Sequence, residues 1–229
     1  MPLKLATYNI QFGYGQDMAY DLARISQAVT GQDIVCLQEV TKNWQACNND
    51  DQPAIIADAL GAYAAYAPGF EVGQTSLGPD GKPDNRPRAF GNMVLSRWPI
   101  LYSRAHSLPR TPVRPEEVPV GFYPLVDLPR TALETVIDVP GSPLRVFSIH
   151  LSHLPGAQRR AQIQALHDLV HLPSARRSSG SPIRAWPILW RAKTHHRFQA
   201  KPFSAAISTL SRIILNMHKC ASNSPTDGC

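Results

Sequence analysis

The amino-acid sequence predicts an α/β fold of sheets covered by helices, formed by residues 1–172 of the 229. Three observations predict it. The chain opens as strand–helix–strand, and it continues as a run of strand-like segments separated by turns. Its clearest apolar run is short and uninterrupted, as a strand covered on both faces requires.

Residues 3–10 (LKLATYNI) read as the first strand, with Leu3, Leu5 and Thr7 on one face and Asn9 near its end. Asp17 is placed to cap a helix in which Met18, Leu22, Ile25 and Val29 recur at helical spacing until Gly31 stops it. Residues 34–37 (IVCL) are the uninterrupted apolar strand, ending in Gln38-Glu39. A helix over 54–60 and a Tyr-rich strand over 63–66 follow. Residues 76–88 hold three prolines and two glycines and read as a loop without regular structure. Strands are expected at 93–95 and 100–103, around a turn at Trp98-Pro99. Six prolines make 108–129 a second long loop, and loops of this length are usually functional rims. Residues 131–139 and 144–151 flank Pro140-Gly141-Ser142-Pro143 as a hairpin, and 158–170 close the domain with a helix.

With 43% hydrophobic and 17% charged residues, the composition is that of a globular domain. No apolar run reaches the length of a membrane span, and the N-terminus enters a strand directly, without the pattern of a signal peptide. The four cysteines form no C-x-x-C pair, and Cys36 reads as a small core residue, so a reduced, cytoplasmic setting is expected. The net charge of +6 is unevenly distributed. Residues 1–172 carry 14 Lys/Arg against 16 Asp/Glu, whereas 173–229 carry nine against Asp227 alone. The basic excess therefore says little about the main domain.

Five segments hold the candidate chemistry: Ala6-Thr7-Tyr8-Asn9-Ile10, Cys36-Leu37-Gln38-Glu39-Val40, Gly91-Asn92-Met93-Val94-Leu95-Ser96-Arg97, Arg130-Thr131-Ala132-Leu133 and Ser148-Ile149-His150-Leu151. Hydrolysis of a phosphate ester needs a cation to neutralise charge on the phosphoryl oxygens and a means of making water nucleophilic. Magnesium takes few carboxylates and keeps several waters. One Glu at the end of a buried strand, beside an Asn from a neighbouring strand end, meets that demand. Taken singly, each residue has an ordinary structural reading. Glu39 is then a solvated rim carboxylate, His150 a hydrogen-bonded core histidine, Asn9 and Asn92 turn formers, and Arg130 a surface charge.

In order and spacing the five segments resemble the endonuclease/exonuclease/phosphatase superfamily, over roughly residues 3–170. The superfamily includes deoxyribonucleases, abasic-site nucleases, deadenylases, inositol polyphosphate phosphatases and neutral sphingomyelinases. The resemblance implies an α/β two-sheet sandwich covered by helices and incomplete at its C-terminal end, and a hydrolase of phosphodiester or phosphomonoester bonds that depends on Mg2+ or Mn2+, acting on nucleic acid, phospholipid or a small phosphate ester. It implies Glu39 as metal ligand, Asn9 supporting both metal and scissile phosphate, and His150 hydrogen-bonding or protonating a phosphate oxygen. Asn92 and Arg130 would line the phosphate cleft, and His153 reads either as a neighbour of the site or, more simply, as a surface histidine of the following loop. Leu37-Gln38-Glu39-Val40 and Phe90-Gly91-Asn92 are closer to the sphingomyelinase-like and bacterial branches than to the abasic-site nucleases.

The sequence also departs from the family. Tyr8 stands where Trp is usual, and Ile149 where Thr is usual. The family's later G-D-x-N and D-H segments, which orient and supply the base, have no counterpart: no Asp or Glu lies between Asp168 and Asp227. Slow turnover is the expectation. Residues 173–229 lose acidic residues, periodicity and motif together, the pattern of a truncated or out-of-frame terminus. Within them 203–217 has helical apolar spacing, which suits either a membrane surface or nothing in particular. Two other readings stand beside the enzyme: an inactive half-site that binds metal or phosphate weakly, and a nucleic-acid binder gripping through the basic tail.

Overall fold

Strand β2 (Ile34–Lys42) is buried along nearly its whole length, and the other elements are arranged around it. The computed structural model describes residues 2–73, 76–78, 80–111, 128–153 and 156–171, and all statements below concern these. β2 pairs in parallel with β1 (Leu5–Asn9) and antiparallel with β6 (Arg88–Ser96), which pairs on its other side with β3 (Tyr63–Val72). A second, antiparallel sheet has the order β7 (Ile100–Ser107), β8 (Thr131–Ile137), β9 (Leu144–Ile149). The helices are α1 (Leu22–Val29), α2 (Gln52–Leu60) and α3 (Gly156–His171).

The period-2 alternation of β2 explains the layering. Val35 and Leu37 point to one face, where they pack with Leu22, Ile25 and Val29 of α1, Ile56 of α2, and Met93 and Leu95 of β6. Ile34 and Cys36 point to the other, against Val94 of β6 and Leu133, Ile137 and Val146 of the second sheet. α3 then covers the far side of that sheet, with Leu166 packed on Leu108 and Ala132. The result is helix, sheet, sheet, helix. The continuous run IVCL is therefore apolar because both faces of its strand are covered.

Gly91 sets the spacing of β6 against β3. A Cβ there would land on the carbonyl oxygen of Ala67, a backbone atom of the paired strand that cannot swing aside. Gly91→Ala should therefore cost about 2–3 kcal/mol of stability, read as a lower urea midpoint, through forced separation of two central strands.

The second sheet carries one buried charge cluster. Glu134 on β8, 3% exposed, accepts from Arg145 Nε on β9 at 2.6 Å and lies 2.6 Å from His106 Nε2 on β7. Arg145 also donates to the carbonyls of Val170 at 3.1 Å and Leu169 at 3.0 Å, and its guanidinium lies over the Phe147 ring. One carboxylate thus ties three strands together, and through Arg145 it ties the last turn of α3 to them.

Several elements differ from their sequence expectations. Helix α1 starts four residues after Met18, because Asp21 and not Asp17 caps it by accepting from the Arg24 amide at 2.9 Å. Asp17 instead pairs with the Arg24 side chain, and Met18 sits outside the helix at φ 60°. On β1 it is Ala6 that packs into the core, whereas Leu3 and Leu5 are exposed. Residues 76–88 contain regular structure after all: β4 (Ser76–Leu77) and β5 (Pro83–Asp84) pair across a tight turn. Proline is tolerated there because so short a ladder needs few amide donors. β2, β3, β6 and β7 are longer than expected, and two 3-10 turns, Gln11–Gly13 and Gln45–Cys47, were not anticipated. Most of the 108–129 loop and all of 173–229, with the 203–217 segment, lie outside the described residues. Among the described residues, no helix is long and apolar enough to cross a membrane.

Candidate active site

The site gathers residues from the end of β1, a bulge within β2, the residue before β8 and the residue after β9. Glu39 owes its position to a bulge. The β2–β6 register slips between Leu37 and Val40, and Glu39 takes the left-handed conformation at φ 58°. That conformation costs a non-glycine residue roughly 1–3 kcal/mol, and it turns a carboxylate toward the second sheet from a strand whose first four residues are apolar. Glu39 is 7% exposed. Burial raises its pKa above the usual carboxylate range, partly offset by a hydrogen bond from the Asn9 side chain and by the charge of Arg130.

Asn9 ends β1 beside β2, opposite Gln38. Its amide oxygen accepts from the Gln11 backbone N–H at 3.0 Å, which leaves its NH2 for Glu39. The turn that follows has three residues at positive φ, Gln11 at 48°, Phe12 at 60° and Gly13 at 93°. It is held by Gln52, fully buried at the start of α2, which donates to the Phe12 carbonyl at 2.6 Å and accepts from the Thr41 amide at 2.9 Å. One glutamine therefore fixes the turn after β1 and the stretch of β2 just beyond Glu39.

Arg130 and His150 come from the second sheet, from the residue before β8 and the residue after β9. Arg130 is buried, with its guanidinium over the Phe90 ring at 5.9 Å. It lies 3.2 Å from Nδ1 of His150 and 3.2 Å from Nδ1 of His153. A guanidinium only donates, so both ring nitrogens accept and both neutral imidazoles carry their proton on Nε2. Burial, with the charge of Arg130 and the proximity of His153, lowers the His150 pKa to about 3. His150 Nε2 stands 3.8 Å from Glu39 Oε1, too long for a direct hydrogen bond.

The structure thus brings Asn9, Glu39, Arg130 and His150 together, and it moves His153 from the expected loop surface into contact with Arg130. Asn92 has a different surrounding. Its amide donates across the sandwich to the carbonyls of Thr131 at 2.6 Å and Ser148 at 3.3 Å, one residue after Arg130 and two before His150. Gln38 works in parallel, donating to Ser148 Oγ at 3.2 Å, while Ser148 Oγ donates to the Leu37 carbonyl at 3.2 Å. Gln38, Gln52, Ser148 and Phe90 were not singled out from the sequence. Only Gln38 and Ser148 carried a signal, as polar residues beside Glu39 and His150 in otherwise apolar strands.

The fold is thus a two-sheet α/β sandwich that gathers one buried carboxylate, an imidazole and a guanidinium between its sheets. The sequence profile of the Endonuclease/Exonuclease/phosphatase family matches residues 6–183, and the chain belongs to that family. Among solved structures it is similar to an endonuclease/exonuclease/phosphatase from Beutenbergia cavernae, with 25% identity and a TM-score of 0.51 over 74% of this chain and 44% of that one. It is also similar to a functionally unknown conserved protein from Enterococcus faecalis, at 19% identity and TM-score 0.49 over 74% of this chain and 61% of that one. A third is a mannosyl-6-phosphatase from Bacteroides thetaiotaomicron, at 22% identity and TM-score 0.46 over 73% and 58%. The chain spans between 44% and 61% of the length of these structures. No curated protein sequence matches it.

Proposed function

We propose that the chain is a divalent-metal-dependent hydrolase of phosphate esters, with Mg2+ or Mn2+ held at Glu39 and a nucleic acid, phospholipid or small phosphate ester as substrate. The observation that supports this reading most is the position of Glu39: a carboxylate buried by a strained bulge, facing Arg130 and His150. A lone buried carboxylate whose ionisation is opposed by burial is a group that a cation would stabilise. Magnesium accepts a site of one or two carboxylates completed by water, so the residues present fit it.

Glu39 would hold the metal directly, and the Asn9 NH2 fixes the orientation of its carboxylate. When bound, the metal supplies neutralisation of phosphoryl charge and acidifies bound water. Arg130 brings a fixed positive charge to the phosphate. His150, neutral with a proton on Nε2, donates a hydrogen bond to a phosphoryl oxygen and does not act as the base, since its Nδ1 is engaged by Arg130. Asn92 and Gln38 hold the two sheets in register, so that groups from both reach one phosphate. Acid–base assistance contributes about a hundred- to ten-thousand-fold, and no carboxylate between Asp168 and Asp227 is available to orient a base. Turnover is therefore expected to be slow.

One observation favours the alternative of a half-site that binds without turnover: among the described residues, no three His, Cys, Asp or Glu side chains gather as a metal site. Hydrolysis of bis-nitrophenyl phosphate with Mn2+, with and without EDTA, separates the two. The enzyme reading expects slow, EDTA-sensitive release that Glu39→Gln removes, together with at least about tenfold weaker Mn2+ binding. Mn2+ binding that depends on Glu39 without EDTA-sensitive release supports the half-site. Equal Mn2+ binding by wild type and Glu39→Gln removes Glu39 from the site.

A further inference from the structure

The last two turns of α3 carry a feature unrelated to the Glu39 site. His167 and His171 lie one turn apart on an exposed stretch of the helix, their ring centroids 4.2 Å apart and their planes 36° from parallel. The acceptors behind each ring decide which nitrogen carries the proton. His171 Nδ1 is 2.7 Å from the His167 backbone carbonyl, which only accepts, so this nitrogen donates. His167 Nδ1 faces the Asp168 carboxylate at 3.5 Å, itself held by a 3.0 Å bond from Gln164, so an acceptor stands on the same side of this ring. In both neutral imidazoles the Nε2 lone pair is therefore the one left for an outside partner.

The geometry points to a bidentate metal site in which Nε2 of His167 and Nε2 of His171 hold one imidazole-preferring divalent transition ion, of the Zn2+, Ni2+ or Cu2+ class, with water completing its shell. An i, i+4 pair on a helix presents its two side chains side by side on one face. An imidazole whose Nδ1–H is taken by a carboxylate or a backbone carbonyl is held in one orientation, the arrangement that surrounds histidine ligands in metalloproteins. Nitrogen donors select these ions, whereas Mg2+ prefers oxygen ligands. The site is consequently separate in chemistry from the one proposed at Glu39, and it does not depend on the chain being a hydrolase. Two protein ligands, not three, make it open. Its structural effect would fall on the last turn of α3, where Arg145 already holds the Leu169 and Val170 carbonyls to the second sheet.

The test uses the full chain in excess Mg2+, titrated with Ni2+ by calorimetry, beside His167→Gln and His171→Gln. Glutamine is a good helix former at exposed positions, and unchanged helical circular dichroism confirms that α3 is intact. Each variant should lose the same equivalent of Ni2+, weakened about a hundredfold, because either imidazole alone forfeits the effective concentration of its partner. Trace Cu2+ should broaden the amide resonances of residues 163–171 in the wild type before any others. Equal binding by wild type and both variants overturns the proposal, as does loss in one variant only, which would describe a single-histidine contact. Broadening centred on another part of the chain overturns it too, whatever the stoichiometry.

Discussion

Glu134→Ala should destabilise the protein by about 3–5 kcal/mol, the largest loss expected of any single substitution outside the hydrophobic core. Truncating Glu134 removes the carboxylate that lies 2.6 Å from both the largely covered Arg145 guanidinium and the His106 ring. It also frees the side chain that holds the end of α3 to β9. Part of the loss should therefore appear locally, as faster hydrogen exchange in the last turn of α3 than in α1. The conservative change Glu134→Gln retains an acceptor for Arg145 and should lose markedly less. The urea midpoints of the two variants decide the point: equal losses would mean that packing volume, and not the charge pair, is what β8 supplies there.

The order of strands and helices was legible in the sequence because it rests on local periodicity and on turn residues. The IVCL run, the alternation on either side of Pro140-Gly141-Ser142-Pro143, and the 158–170 helix are each set by patterns within a few residues. Boundaries failed where a competing local bond won, as when Asp21 and not Asp17 took the Arg24 amide. The site was legible in a different way. Asn9, Glu39, Arg130 and His150 stand in a recognisable order, so their gathering was anticipated although nothing local demanded it.

What holds those residues in place was not legible, because it consists of pairings between distant segments. The positive φ of Glu39 follows from a register slip against β6, more than 50 residues away in sequence. Gln52 follows two aspartates and reads as an exposed helix start, yet it is fully buried and fixes the Phe12 turn 40 residues upstream. His153 reads as loop surface, and only the approach of Arg130 places it at the site. Glu134 and Arg145 sit on neighbouring strands, where a charge on an alternating pattern reads as solvent-facing until α3 is seen to cover that face.

Acidification should destabilise the metal-free protein through His150. In the unfolded chain this imidazole titrates near its ordinary value of 6.5, whereas in the fold burial, the charge of Arg130 and the proximity of His153 hold it down to about 3. Between those two values the unfolded chain takes up a proton that the native state refuses. Stability from this group is therefore intact above about pH 6.5 and falls as the pH drops, by up to about 1.4 kcal/mol per unit and about 4–5 kcal/mol by pH 3. Glu39 acts in the opposite sense. Its pKa is raised by burial, so in its own window the native state binds the extra proton and stability rises as the pH falls through the folded value. Wild type alone shows only the sum of the two. A comparison with His150→Gln separates them, because His150 is not among the groups that move Glu39, whose shift comes from burial, Asn9 and Arg130. Urea unfolding in EDTA at pH 7.5, 6, 5 and 4 should show wild type losing stability relative to His150→Gln at each step below 6.5. A difference that stays constant across that range would mean that His150 is protonated as easily in the fold as outside it, and that Arg130 does not hold it as a neutral donor.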